Sequence, residues 1–234
     1  MKTTALAFTA AALLATTASA NLISEFEPNP AGADPPTTNV ELSGTPLAAY
    51  SGFLTFIDTD PPGALGFVNN TPEAVSDNYD ANGLAVITLN FDAENPSYML
   101  VFSTLAPAGS VDGDQDGNLD NAAGDFGTVY DAIAVIDNVG DARNYATQLG
   151  GQEFATANEW ELAFRDTSTG AWYGVDTGAS EVYDIDGNLV NDALFSASPF
   201  ATTYGAVNPT LIPEPTSLAL LGLGGLFVAR RRKG

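Results

Sequence analysis

The chain has 234 residues with 29 Asp and Glu against seven Lys and Arg, a formal net charge of -22, and neither cysteine nor histidine. Without those two residue types there is no disulfide, no thiol nucleophile, no serine–histidine or cysteine–histidine hydrolysis and no ordinary zinc site. All the acidic residues except Glu214 lie in residues 21–211, together with Arg143 and Arg165 alone of the basic ones. That stretch therefore carries a charge near -26, which argues against nucleic acid as a partner, since phosphate binding needs clustered Lys and Arg.

The N-terminus begins with Lys2 as its one charge, continues with the apolar run Ala5 to Ala15 and ends in Ala18-Ser19-Ala20. A basic start, a weakly hydrophobic centre and a small-x-small ending predict a secretory signal peptide over residues 1–20, cleaved before Asn21.

Residues 21–211 are long enough for one domain with a sizeable core. Their short apolar segments are punctuated by Gly, Pro, Asn and Asp, and few show helical periodicity. The strands expected in chain order are Leu22 to Phe26, Asn39 to Leu42, Phe53 to Ile57, Leu84 to Leu89 after the turn signal Asn82-Gly83, Tyr98 to Phe102, Val129 to Ile136, Trp160 to Arg165, Ala171 to Val175 and Val182 to Ile185. The runs from Tyr98 and Val129 are almost continuously apolar, as central strands covered on both faces are. In the run from Trp160 the alternation places Trp160, Leu162 and Phe164 on one face of a half-buried strand. A short helical turn is expected over Ala142 to Leu149. The pattern predicts an all-β fold, a single β-sandwich, immunoglobulin-like or related.

The first of these segments also carry a resemblance. Ile23-Ser24-Glu25-Phe26-Glu27-Pro28-Asn29-Pro30, Val40-Glu41-Leu42 and Tyr50-Ser51-Gly52-Phe53-Leu54 resemble the start of an extracellular lamin-tail domain, with Ser24 and Phe53 in place of that family's usual Asn and Trp. Over residues 22–57 the resemblance implies an immunoglobulin-like sandwich and says nothing of chemistry.

Spacing singles out one internal constellation, Asp112-Gly113-Asp114-Gln115-Asp116-Gly117-Asn118-Leu119-Asp120. Carboxylates at loop positions 1, 3 and 5, glycine at 6, a backbone carbonyl from Asn118 at 7 and Asp120 at 9 match the front of an EF-hand-type loop, because Ca²⁺ takes several hard oxygens and the glycine permits the sharp turn. Position 12 is Ala123 in place of a bidentate Glu, with Asp125 as a substitute only if the loop ends differently, and no flanking helices are evident. A weaker echo is Asp184-Ile185-Asp186-Gly187-Asn188. Asp-Gly and Gly-Asn pairs are equally what turns between strands require, so calcium and simple turn remain alternatives here. Trp172, Tyr173 and Tyr183 are candidates for a sugar-stacking platform or for core, and many carboxylates offer pairs for glycoside hydrolysis without singling one out.

The C-terminus is the most specific segment. Pro213-Glu214-Pro215 precedes the uncharged apolar stretch Thr216 to Ala229 and then Arg230-Arg231-Arg232-Lys233. As a helix that stretch would cover about 21 Å of a roughly 30 Å hydrocarbon core, and the basic cluster would stay cytoplasmic. From residue 212 to 234 the chain resembles the PEP-CTERM proteins, whose tails carry Pro-Glu-Pro, a hydrophobic helix and an arginine cluster. The resemblance implies recognition by an exosortase in a Gram-negative, exopolysaccharide-producing bacterium, transient inner-membrane anchoring, processing near the motif, and delivery to the cell surface or biofilm matrix. The expectation is a non-enzymatic structural or adhesive surface protein with a calcium-binding loop, contacting exopolysaccharide or envelope components. The alternatives are a calcium-dependent carbohydrate-binding module and a secreted carboxylate-dependent carbohydrate-active enzyme.

Overall fold

The apolar runs pair into two sheets packed face to face. A computed structural model describes residues 21–30, 32, 36–60, 65–69, 71–91, 97–138, 141, 145–155 and 160–212. The expected signal peptide, the sorting tail from Pro213 and Arg143 lie outside the described residues.

One sheet has seven strands: β1 (Leu22–Phe26), β2 (Thr38–Ser43), β5 (Leu84–Leu89), β9 (Leu162–Arg165), β10 (Trp172–Asp176), β11 (Glu181–Asp184) and β12 (Leu189–Val190), in the order β12-β11-β10-β9-β1-β2-β5. The other has five: β3 (Ala49–Asp58), β4 (Glu73–Asn78), β6 (Tyr98–Ser103), β7 (Val129–Val135) and β8 (Gln152–Glu153), in the order β4-β3-β6-β7-β8. All described pairings are antiparallel except β7 with β8. The expected β-sandwich is present, and each of the nine expected strands has its counterpart.

Three apolar clusters hold the layers. Between the sheets, Ile23, Phe26, Val40 and Leu42 face Leu54, Phe56, Leu100 and Phe102, with Phe56 stacked on Phe91 at 3.7 Å and Trp172 edge-on to Phe26 at 5.8 Å. A second cluster covers the outer face of the five-stranded sheet, where Met99, Val101, Ala132 and Ala134 meet Val111, Phe126 and Tyr145. This explains why β6 is apolar at consecutive positions: every residue in it is buried. A third covers the outer face of β9 to β11, where Leu162, Phe164, Tyr173 and Val175 meet Phe195 and Leu211 of the chain's last described segment, residues 195–212.

Trp160 departs from the expected alternation. It precedes β9 and turns into the inter-sheet cluster with Ala163, whereas Leu162 and Phe164 point to the outer face. The strand begins only at Leu162, so period-2 reasoning does not extend to position 160. Nor is β9 half-buried, because residues 195–212 cover its second side. Trp160 lies against Gly174, where an added Cβ would come within 2.6 to 3.0 Å of the indole ring.

A β-bulge shapes the middle of the seven-stranded sheet. Ile23 pairs with Leu42 but Glu25 with Glu41, leaving Ser24 as the extra residue. The bulge lets Ile23 and Phe26 both face the core while Ser24 and Glu25 both face outward. The sheets are also tied by charge: Arg165 of β9 donates to Asp131 of β7 at 2.7 Å, with side chains 12% and 9% exposed. The same Asp131 oxygen accepts the Ile23 amide at 2.9 Å, and the Arg165 guanidinium lies 4.8 Å from the Trp172 ring centre.

Asp131→Ala would strand Arg165 in an almost dry setting, where breaking a buried pair costs about 3–5 kcal/mol. Urea unfolding at neutral pH should show a loss of that order. A change below about 0.5 kcal/mol would mean that the pair behaves as an exposed one.

Candidate metal centre

Asp112 lies at the start of the aspartate loop, on the outer side of the five-stranded sheet. Neighbouring Val111 is anchored in the second cluster, and its amide bonds Gly66 O at 2.8 Å. Asp112 is fully buried, yet its carboxylate is well supplied with donors. Oδ1 accepts the Asp116 amide at 3.1 Å, and Oδ2 accepts the Gly117 amide at 2.8 Å and the Tyr145 hydroxyl at 2.5 Å. Burial alone would raise the acid's pKa, but these bonds outweigh it and hold the carboxyl below the usual aspartate value. Gly117 adopts φ 86°, as the expected sharp turn requires, and Gln115 takes the left-handed region at φ 58°.

The wrap of the loop brings one carboxylate oxygen each from Asp112, Asp114 and Asp116 within 4.8 Å of one another, with Asp114 and Asp116 exposed. The carboxyl of Asp114 is raised, chiefly by the charge of Asp116. Asp120 stands outside this trio of carboxylates. The Asn118 side chain donates to Asp116 Oδ1 at 2.9 Å, while Asp120 Oδ2 closes the loop by accepting the Gly113 amide at 2.7 Å. A carboxylate offers about four lone-pair sites; three of those of Asp112 face donors, and its further contact is with the Asp114 carboxyl, the place a bridging cation would take. Three convergent oxygens suit the hard-ligand preference of Ca²⁺, whose remaining positions water or backbone carbonyls would fill.

Two features of the site were not expected. A helix does follow the loop: α1 (Ala122–Phe126), capped by Asn121, whose side chain accepts the Gly124 amide. With five residues, a glycine at 124 and only Phe126 buried, it shows no apolar periodicity. Position 12, Ala123, falls inside α1 and offers no side-chain ligand. The second feature is a clamp from α2 (Tyr145–Gln148), which falls in the expected helical segment. Beside the Tyr145 contact, Gln148 accepts the Leu119 amide at 2.8 Å and donates to Gly117 O at 3.2 Å. No local signal announces partners about 30 residues away.

The weaker echo is a hairpin turn. Asp184 accepts the amides of Asp186 and Asn188 and the Asn188 side chain, which connects β11 to β12. Trp172 and Tyr173 are buried core residues, so they form no exposed platform. A cavity of about 300 Å³ opens beside Ser24, Ser43, Asn82, Arg165 and Asp166. Asp166 is the one acidic residue in its lining, and its oxygens accept the amides of Ser168, Thr169 and Leu211.

The final described residues are pinned to the domain. The Leu211 amide donates to Asp166 Oδ2 at 2.9 Å and the Ile212 amide to Leu194 O at 2.7 Å. At this point the fold gives way to a recognisable segment, for residues 211–233 match the family model of the PEP-CTERM protein-sorting motif. The chain carries a PEP-CTERM sorting signal. The PEP-CTERM motif implies export to the cell envelope or surface and processing by an exosortase. Pro213, Glu214, Pro215, Arg230, Arg231 and Arg232 all fall within the match. No curated protein and no solved structure matches the chain. Among the described residues no helix is long and apolar enough to cross a membrane, and the apolar stretch 216–229 lies outside them.

Tyr145→Phe removes one of the three donors to Asp112, a bond to a charged group worth about 1.5–3 kcal/mol. A group with a depressed folded pKa contributes stability that is present above its unfolded value and lost as pH falls through the folded one. The deficit of Tyr145→Phe should therefore be full at neutral pH and shrink as pH falls below the ordinary aspartate value of 3.8. Urea unfolding at several pH values checks it, and a deficit that persists undiminished at the acid end would assign the effect to packing.

Proposed function

We propose that this is an exosortase-sorted, non-enzymatic protein of a Gram-negative cell surface or extracellular matrix, in which the sandwich is the exported cargo and calcium at residues 112–120 reinforces it. The PEP-CTERM match at residues 211–233 carries the reading. The tail would anchor transiently in the inner membrane until processing releases it. A cargo near -26 in charge, without a cationic face for nucleic acid, suits a hydrated matrix in which divalent cations bridge acidic groups of the protein to exopolysaccharide or other envelope components. One observation supports a structural over a catalytic role: the cross-strand pair Glu25 and Glu41 is covered by residues 203–205.

Support for calcium comes from the Asp112, Asp114 and Asp116 trio and from the repulsion that raises Asp114. Lacking a position-12 carboxylate, the loop should bind weakly, at about 10⁻⁴ to 10⁻³ M as in extracellular modules.

Two experiments test the reading. Replacing Arg230 to Lys233 with neutral residues should impair surface delivery and leave an unprocessed C-terminus by mass spectrometry of the mature protein. Unchanged delivery and processing would contradict sorting by this tail. Thermal melts of the full chain should shift upward by about 3–11 °C from EDTA to roughly 10 mM Ca²⁺, by the linkage of a weak site to folding. Asp116→Ala should remove most of that shift and Asp186→Ala little of it. Identical midpoints for the unmutated chain would reduce the aspartates to a turn.

A further inference from the structure

The bulge in β1 has a chemical result: it sets Ser24 and Glu25 beside Glu41 on the outer face, and both glutamates are completely buried. The cover is residues 203–208, part of the segment that runs directly into the sorting signal. Thr203 donates its amide to Glu25 Oε1 at 2.7 Å, and its hydroxyl lies 2.7 Å from Glu25 Oε2. Gly205 donates its amide to Glu41 Oε2 at 2.7 Å, and Ser24 its hydroxyl to Glu41 Oε1 at 2.8 Å. The Tyr204 hydroxyl reaches Asn39 O at 2.9 Å and lies 3.3 Å from Glu27 Oε2.

Counting hydrogens at Thr203 decides the protonation of Glu25. The hydroxyl oxygen lies 2.7 Å from Glu25 Oε2 and 2.6 Å from Asn208 Oδ1. A hydroxyl has one hydrogen, so it can satisfy one of these oxygens and would confront the other lone pair to lone pair. Flipping the Asn208 amide gives no relief, because its nitrogen donates to Ser24 O at 2.8 Å and Arg165 O at 3.2 Å. A flipped oxygen would face both carbonyls. The contacts are all satisfied when Glu25 carries a proton: Glu25 donates to Thr203, Thr203 to Asn208, and Asn208 to the backbone of β1 and β9.

The surroundings agree. Burial pushes Glu25 up to about 7, the Thr203 bonds oppose it, and the charges of Glu41 and Glu27 push further in the same direction. From β2 it meets Glu41, itself raised by burial and by Asp80. From the cover it meets Tyr204, whose hydroxyl is raised by burial and by Glu27 and Glu25. Its β9 partner is the apolar Phe164, the Arg165 side chain is committed to Asp131, and Asp166 sits further along, holding the Leu211 amide.

We propose that Glu25, Thr203 and Asn208 form a proton-gated latch that holds the stem of the sorting tail, residues 203–212, against the sandwich, and that loss of the Glu25 proton loosens this stem. A carboxyl whose pKa is raised by latching stabilises the latched state fully below the free value, and that stabilisation is lost as pH rises through the latched value. The window therefore runs from 4.5 to about 7. Because the stem runs up to the residue before Pro213, with Asp166 and Leu194 holding its last two residues, peptide bonds near the motif become more accessible to a sorting protease as the whole stem opens more often with rising pH. That consequence rests on the sorting reading; the latch itself does not.

Hydrogen exchange of the full chain in detergent micelles, corrected for the intrinsic pH dependence of exchange, measures stem opening directly. Between about pH 6 and 8.5, linkage predicts that the opening equilibrium of residues 203–212 increases about tenfold, while β6 stays protected. Glu25→Gln should remove the increase, since its amide can donate to Thr203 Oγ and accept the Thr203 amide at any pH. Equal increases in both proteins, or none in the unmutated chain, would overturn the latch. Should the variant fold poorly, carboxyl NMR of Glu25 in the unmutated chain supplies the test: a titration midpoint about 7 is expected, and one near 4.5 would overturn the proposal. Neither result depends on Arg230 to Lys233, so the sorting reading stands or falls separately.

Discussion

Negative charge with almost no cation to answer it is the constraint around which this fold is built. Arg165 is the one basic side chain among the described residues, and it is spent on Asp131 between the sheets. Every other buried carboxylate needs a different solution, because an unpaired charge in a dry setting costs several kcal/mol. The structure uses two. Asp112 is surrounded by N–H and O–H donors and stays ionised below its ordinary range. Glu25 is buried with a hydroxyl that needs a proton from it, and it is neutral in the latched geometry. The cluster of Ser97, Asp137 and Asp141 shows both behaviours side by side: burial opposes ionisation of each aspartate, yet hydrogen bonds hold Asp137 low while Asp141 is raised. Calcium at residues 112–120 would be a third solution, supplied from outside.

Much of the sandwich was legible from its apolar runs. Burial on both faces leaves a continuous signature in Tyr98 to Phe102, which extends by one residue, while the edge strand Leu84 to Leu89, buried only at its two ends, follows the Asn82-Gly83 turn signal and begins and ends as expected. The strand at Glu73–Asn78 was not legible: only Val75 is buried, since an edge strand facing water needs no apolar pattern. The pairs Gln152–Glu153 and Leu189–Val190 are too short to show any period. Trp160 misled because a residue just outside a strand is released from its alternation.

The site divides in the same way. Spacing alone picked out Asp112, Asp114 and Asp116, which the fold does bring together, because a short loop is a local object whose residues are close in sequence. It did not reveal that Asp120 braces the loop, or that Tyr145 completes it from 33 residues away. The Glu25 latch had no local sign either. An acidic residue in an alternating strand reads as solvent-facing, and only the return of residues 203–208 across 178 positions buries it. The sorting tail was legible because it is read by another protein as a linear string.

Folding of this chain neutralises carboxylates as well as pairing them. Unfolding free energy in urea, measured without calcium at intervals between about pH 5 and 7, tests it most directly, since its slope counts the protons that the folded chain holds in excess. Stability should decline across this interval, because burial raises Glu25 to about 7 in the folded chain and raises Glu41 and Glu27 in the same direction. Stability that is flat or rises with pH there would contradict it.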